Sequence, residues 1–329
     1  MSTPPEGPVL TVAVINRYLR GYPCDCLESL GASEAGSETE FLLIQGPEAR
    51  SAETVRERYP HVRIVPIAEG DRAAAKNRAL AEARGEVVIL TTADTLAQPA
   101  TAARLRDCVL ASDEDMLVSA QLVQENGMRR RTAYGFPSIL HEVHPFTWLL
   151  RRYHRAWRKG RPPRGGGLVA APALHATCLA GHRRVFERIG PFTEGYRFAH
   201  EDIEYCARAK RSGIPRRILL DAQTHKLAPQ RYGELPSPVR IAMEQSTDRL
   251  VRATHGAAYT TGFRLARRAK SLCKWTISAV LNRIMCRCSV LLDIEERVHA
   301  GILLLPWRPP DPDGLPPDIE SHVRWEDAV

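Results

Sequence analysis

No stretch of the 329-residue chain supplies the roughly 18 to 20 uninterrupted apolar residues that a bilayer-spanning helix needs, so none is expected. The N-terminal MSTPPEGPVLTVAVI lacks a basic region followed by a long apolar run and a small-residue cleavage site. No signal peptide is read there, and a cytoplasmic protein is expected. No two cysteines stand at the two-residue spacing usual in structural zinc sites. Cys24/Cys26 and Cys286/Cys288 form Cys-x-Cys pairs, while Cys108, Cys178, Cys206 and Cys273 stand alone. In a cytosolic chain all eight are expected to be reduced thiols, several of them buried. Internal repeats are absent too, which excludes solenoids and propellers.

What is present is globular. Apolar residues make up 44% and charged residues 26%, values that exclude wholesale disorder and allow a large core. The formal charge of +8 is concentrated at Arg129 to Arg131, Arg151 to Arg164 and Arg264 to Lys274. Such a surplus suits anionic partners, namely nucleotide diphosphates, phospholipid surfaces or nucleic acid. No nucleic-acid-binding module is recognisable, so that class is disfavoured.

Apolar runs and helical stretches alternate through the first half. Strands are expected at Leu10 to Ile15, Glu40 to Gln45, His61 to Ile67, Glu86 to Thr92 and Met116 to Val123. Helices are expected at Cys24 to Leu30, Ser51 to Arg58 and Asp71 to Arg84, the last stopped by Gly85, and from Pro99 to about Leu110. Repeated βα units predict a mostly parallel sheet with helices on both faces and ligands at the carboxyl ends of its strands. The segment from about Gln124 to Pro172 is irregular, with a loop at Arg161 to Gly167. Strands at Leu174 to Ala180 and Arg217 to Leu220 then complete the sheet, and long helical stretches follow Pro236.

The most informative segment is GHRRVFERIGPFTEGYRFAHEDIEYCARAKRSGI, Gly181 to Ile214, which sets adjacent Glu201 and Asp202 at the start of a helix. A helix N-terminus carries partial positive charge and tolerates carboxylates, one of which can stay ionised as a proton acceptor. The pattern of Arg-Arg-Val-Phe, a Gly190-Pro191-Phe192-Thr193-Glu194 loop and Glu-Asp-Ile-Glu-Tyr-Cys-x-Arg resembles the acceptor-side half of a family 2 glycosyltransferase, rhamnosyltransferase-like and of GT-A fold. The resemblance runs from about Leu10 to about Leu227. It implies an inverting hexosyltransferase that moves a sugar from a nucleotide-diphosphate donor to an acceptor hydroxyl. Asp202 would be the general base and Glu201 would orient the acceptor. The acceptor class stays open between a polysaccharide, a lipid-linked glycan and a small natural product, within cell-envelope or glycoconjugate biosynthesis. The loop departs from the family's Gly-Gly-Phe-Asp-Glu by the loss of one acid at Thr193.

For the donor half the resemblance implies a divalent cation, Mg2+ or Mn2+, beside the diphosphate, held by Asp94 just past the strand EVVILTT, with His225 in DAQTHKLAP either ligating the metal or touching the diphosphate. The first acid of the family's Asp-x-Asp is here Thr92, and an Asp after a strand also commonly caps the next helix. Lys76 and Asn77, in RAAAKNRALAEARGE, occupy the place of an Ala-Arg-Asn helix that approaches the nucleotide. Arg17 is expected against phosphate and Gln45 against the base, where the family carries Asp-Asn-Gly-Ser or Asp-Asp-Gly-Ser and this chain reads Gln45-Gly46-Pro47-Glu48.

These readings divide the chain into a flexible N-terminus at 1–9, a GT-A domain at 10–232, a basic helical extension at 233–306 and a Pro/Asp-rich tail at 307–329. Residues 259–292 hold seven Arg and Lys side chains, Arg264 to Arg287, interleaved with Leu272, Trp275, Ile277, Val280, Leu281, Ile284 and Met285 and with no acid. That composition fits peripheral contact with an anionic membrane, although helical steps of 100° do not gather the charges on one face. A helical cap or a dimer contact fits it as well. Two further alternatives remain for the whole chain. One is a catalytically inactive GT-A scaffold, suggested by Gln45, Thr92 and Thr193. The other is a sugar nucleotidyltransferase, disfavoured because Asn16 to Tyr22 offers only Gly21 to a phosphate-cradling loop.

Overall fold

Predominantly apolar runs form the centre of a nine-stranded sheet in the computed structural model, which describes residues 7–16, 22–32, 38–47, 51–68, 71–139, 142, 167–196, 199–227, 237–284 and 290–304. In chain order the elements are β1 (Leu10–Asn16), α1 (Pro23–Ser29), β2 (Thr39–Gln45), α2 (Ala52–Arg58), β3 (Arg63–Pro66), α3 (Arg72–Glu82), β4 (Val87–Thr92), β5 (Thr95–Ala97), α4 (Thr101–Leu110), β6 (Leu117–Val123) and β7 (Ala133–Tyr134). They continue with β8 (Leu168–Ala170), β9 (Ala173–Leu174), β10 (Cys178–His182), α5 (Arg183–Ile189), α6 (Glu201–Arg211), β11 (Arg216–Lys226), α7 (Ser237–His255), α8 (Ala257–Ile284) and α9 (Val290–Leu304). The sheet order is β3-β2-β1-β4-β10-β6-β11-β5, with β8 beside β11. β1 to β4, β6 and β11 point one way, so six of the nine strands are co-directional, while β5, β8 and β10 oppose them.

Burial on both faces explains why β1, β2 and β4 read as near-continuous hydrophobic runs rather than alternating ones. Val12, Val14, Phe41, Leu43 and Ile89 pack with Leu27 of α1, Val55 of α2 and Leu105 of α4. The opposite face is covered by α3, whose Ala73, Ala75 and Ala79 are buried. Asp71 caps that helix by accepting from the Ala74 N–H at 2.9 Å.

Several boundaries differ from the sequence expectation. α3 ends at Glu82, and Gly85 is not its stop: a Cβ there would lie 2.5 Å from the Thr11 nitrogen, so the glycine permits close approach to β1. α4 opens at Thr101, after Ala100 turns the chain at φ +62°, rather than at Pro99. The single strand expected at Leu174 to Ala180 is two, because β9 pairs with β7 before His175 to Thr177 carry the chain into β10. β11 is longer than Arg217 to Leu220, since a register shift between Leu219 and Gln223 lets it continue along β6 to His225. The loop expected at Arg161 to Gly167 lies outside the described residues up to 166, as does the tail.

The chain forms two compact units. One comprises 1–136, 158–194 and 201–228, and the other 137–157, 195–200 and 229–329. In the second, α7 and α8 meet at Gly256, at φ +84°. Arg264 and Arg267 are buried against Asp248, the former with Nε 2.9 Å from Oδ2. Lys270 pairs with Glu142 at 2.7 Å. Leu265, Leu272, Ile277, Val280, Leu281 and Ile284 of α8 are exposed. No helix among the described residues is long and apolar enough to cross a membrane.

Candidate active site

The strand directions fix where ligands can gather. Because β10 runs against β4 and β6, the carboxyl ends of β1, β2, β4, β6 and β11 share one edge, and β10 begins there, with Cys178 opposite Thr91. Asn16 pairs with Gln45 in register, and Ile15 with Thr92. That edge is where open parallel sheets bind ligands.

Asp94 sits in the turn between β4 and β5. Its Oδ1 accepts from the Thr92 hydroxyl at 2.6 Å, and that hydroxyl lies 3.0 Å from Thr95 Oγ1. Its Oδ2 is 2.9 Å from Lys226 Nζ, in a pair whose side chains are 27% (Lys226) and 33% (Asp94) exposed. Burial alone would raise the Asp94 carboxyl. The Lys226 ammonium, the Thr92 hydroxyl and the charge of Arg72 outweigh it and hold the pKa below the ordinary carboxylate value.

Asp94 and His225 are not brought together. Lys226 lies opposite Thr95, in the Asp94 cluster, while His225 lies opposite Leu96, and alternation along the strand turns it to the other face. A divalent cation needs several oxygen ligands, whereas the turn from Thr92 to Thr95 offers the one carboxylate of Asp94, already paired with an ammonium. No group of three or more His, Cys, Asp or Glu side chains among the described residues is placed to hold a metal. Among the described residues Asp94 and His225 thus form no clear metal site.

At the base position Gln45 is buried, and its Oε1 accepts from Asn16 Nδ2 at 3.2 Å and Ser51 Oγ at 3.4 Å. Among the described residues Asn16 Oδ1 is buried with no hydrogen-bond partner, an arrangement suited to an N–H donor. Arg17 lies outside the described residues.

Glu201 and Asp202 open α6, and their environments separate them. Glu201 is sealed: its Oε1 lies 2.9 Å from Lys76 Nζ, with side chains 4% (Glu201) and 3% (Lys76) exposed. The Lys76 ammonium also stands 5.0 Å from the centroid of Phe192, which stacks on Tyr205 at 3.8 Å. Burial would raise the Glu201 carboxyl, but the Lys76 and Arg72 charges hold it well below its ordinary value. Lys76 is thus engaged inside the domain rather than at a phosphate position. Asn77 is engaged as well, donating to the Phe192 carbonyl at 2.9 Å and accepting from the Phe192 N–H at 2.7 Å, which clamps the Gly190 to Glu194 loop. Thr193 donates to Glu204 Oε2 at 3.0 Å, where an acid would have set two carboxylates together.

Asp202 is half-buried. Its Oδ2 accepts the Ala176 N–H at 3.2 Å and its Oδ1 the Ile203 N–H at 2.8 Å, which leaves lone pairs for a further proton. His175 and Tyr134 flank it, with ring centroids 5.5 Å apart. Burial holds the His175 imidazole below its ordinary pKa despite the nearby Asp202 charge, and burial together with that charge raises the Tyr134 phenol.

Arg72 acts electrostatically on both Asp94 and Glu201, and His175 feels both Asp202 and Lys226. Sequence reasoning missed Arg72, Tyr134, His175 and Lys226. Only the lysine carried a local signal, standing next to His225 at the end of an apolar strand.

No protein-family model and no curated protein sequence matches the chain. Among solved structures it is similar to GalNAc-T7 with UDP, GalNAc and Mn2+, with a TM-score of 0.54 and 13% identity over 75% of this chain and 48% of that one. It is also similar to the mannosyltransferase PcManGT from Pyrobaculum calidifontis in complex with GDP-Man and Mn2+, with a TM-score of 0.51 and 17% identity over 91% of this chain and 86% of that one. The fold is that of GT-A glycosyltransferases. At such identity the likeness speaks for the GT-A fold alone, and this chain spans about half of the GalNAc-T7 chain.

Proposed function

We propose that this chain is an inverting glycosyltransferase in which Asp202 is the general base. The observation that carries the reading is a half-buried carboxylate at the start of α6, aimed by two backbone N–H groups at the ligand edge of a GT-A sheet. As an acceptor hydroxyl oxygen attacks the anomeric carbon, its proton passes to Asp202. The bond from that carbon to the diphosphate oxygen breaks, and the electron pair leaves with the nucleoside diphosphate. One in-line displacement inverts the centre and needs no covalent intermediate. Glu201, sealed against Lys76, anchors the helix start that holds Asp202. The orphaned Asn16 oxygen and Gln45 suit the edge of a base. The similar structures were determined with Mn2+, UDP and GDP-Man, which supports a nucleotide-sugar donor here, whereas Asp94 is paired with the Lys226 ammonium.

The test is Asp202→Asn. Transfer should fall by about 10²- to 10⁴-fold with nucleoside-diphosphate affinity kept within about twofold. Full activity in that variant overturns the role. A mass-spectrometric donor screen against the wild-type chain identifies the sugar. Donor affinity without transfer to any acceptor favours a binding protein instead.

A further inference from the structure

We infer that Lys226 supplies positive charge that a donor diphosphate requires, in the place a divalent cation would otherwise take. This rests on the glycosyl-transfer reading and deepens it. A departing nucleoside diphosphate gathers negative charge, and a site that releases it must hold a fixed cation. Lys226 is the last residue of β11, at the edge shared by the strand ends, and its ammonium is seated against the turn that carries Asp94.

Four observations point the same way. Asp94 is paired through Oδ2 with Lys226 and accepts through Oδ1 from Thr92. Thr92 stands where a second acid would ligate, and its hydroxyl donates to Asp94 rather than adding charge. Lys76, another candidate cation, is closed off with Glu201. The turn from Thr92 to Thr95 holds no acid besides Asp94. The Lys226–Asp94 pair is partly open, and an ammonium has three donors, so Nζ can keep Asp94 and still take phosphate oxygens. Asp94 thereby becomes a positioning residue that aims the lysine.

The metal and lysine arrangements predict opposite results for one substitution. If Asp94 were a metal ligand, Asp94→Asn would abolish diphosphate binding. If it is a counter-ion, the variant removes a negative charge from an anion site, and affinity holds or tightens. The experiment is calorimetric titration of the full chain with UDP, GDP, CDP, dTDP and ADP, each in EDTA and in MnCl2. At least one should bind in EDTA with a Kd within about threefold of its value in Mn2+. Lys226→Met should weaken that binding about tenfold or more, with Lys226→Arg retaining most of it, and Asp94→Asn should bind at least as tightly as wild type. Binding that appears only with Mn2+, or is lost in Asp94→Asn, overturns the inference while leaving the nucleotide reading intact. Binding of none under either condition overturns both. If Lys226→Met does not fold, the EDTA comparison and Asp94→Asn still decide.

Discussion

Two lysine–carboxylate pairs, Lys76–Glu201 and Lys226–Asp94, close at the same 2.9 Å, yet one is sealed and the other is partly open. The contact distance therefore says little about role. In the sealed pair each charge has already lost its water and depends on its partner, so the pair acts as a clasp between α3 and α6. In the open pair solvent screens both charges, and the lysine can exchange or share its anion. Electrostatic consequence follows burial more than distance.

Breaking the sealed pair should have the largest effect. Lys76→Met strands a buried carboxylate and should cost about 3–5 kcal/mol in urea unfolding, whereas an unchanged midpoint would mean the pair is not buried in solution. The pH dependence sharpens the same point. Glu201 has a folded pKa below its ordinary 4.5, so its contribution is complete above that value and is lost as pH falls through the folded one. Unfolding free energy should drop on acidification from about pH 5 towards pH 2, and Lys76→Met should remove most of that slope. Next, Asn77→Ala leaves the Phe192 N–H and carbonyl without their partner and should cost about 1–3 kcal/mol, read by the same unfolding curves. Lys226→Met is the counter-case. Its stability loss should stay below about 1 kcal/mol even though diphosphate binding falls.

Much of this architecture was legible where burial writes directly into composition. β1, β2 and β4 announce themselves as predominantly apolar runs because both faces are covered, and α6 announces itself through Glu201 and Asp202 in its first turn. What escaped depends on partners remote in sequence. Lys76 and Glu201 are 125 residues apart, and no local pattern pairs them. Gly85 mimics a helix stop, while its reason is the backbone of β1. The choice between His225 and Lys226 turns on which face each presents, and that is set by pairing with the three-residue β5, too short to leave a periodic signal. The long β11 was foreshortened because its irregularity between Leu219 and Gln223 interrupts alternation.

Asp202 receives both of its hydrogen bonds from main-chain N–H groups, those of Ala176 and Ile203. Every residue except proline offers such a group. The aim of the carboxylate is consequently insulated from side-chain drift at those two positions, and only proline or a change in loop length would misdirect it. A lineage can rewrite the surroundings of this carboxylate while keeping it pointed, in a fold shared at 13% and 17% identity.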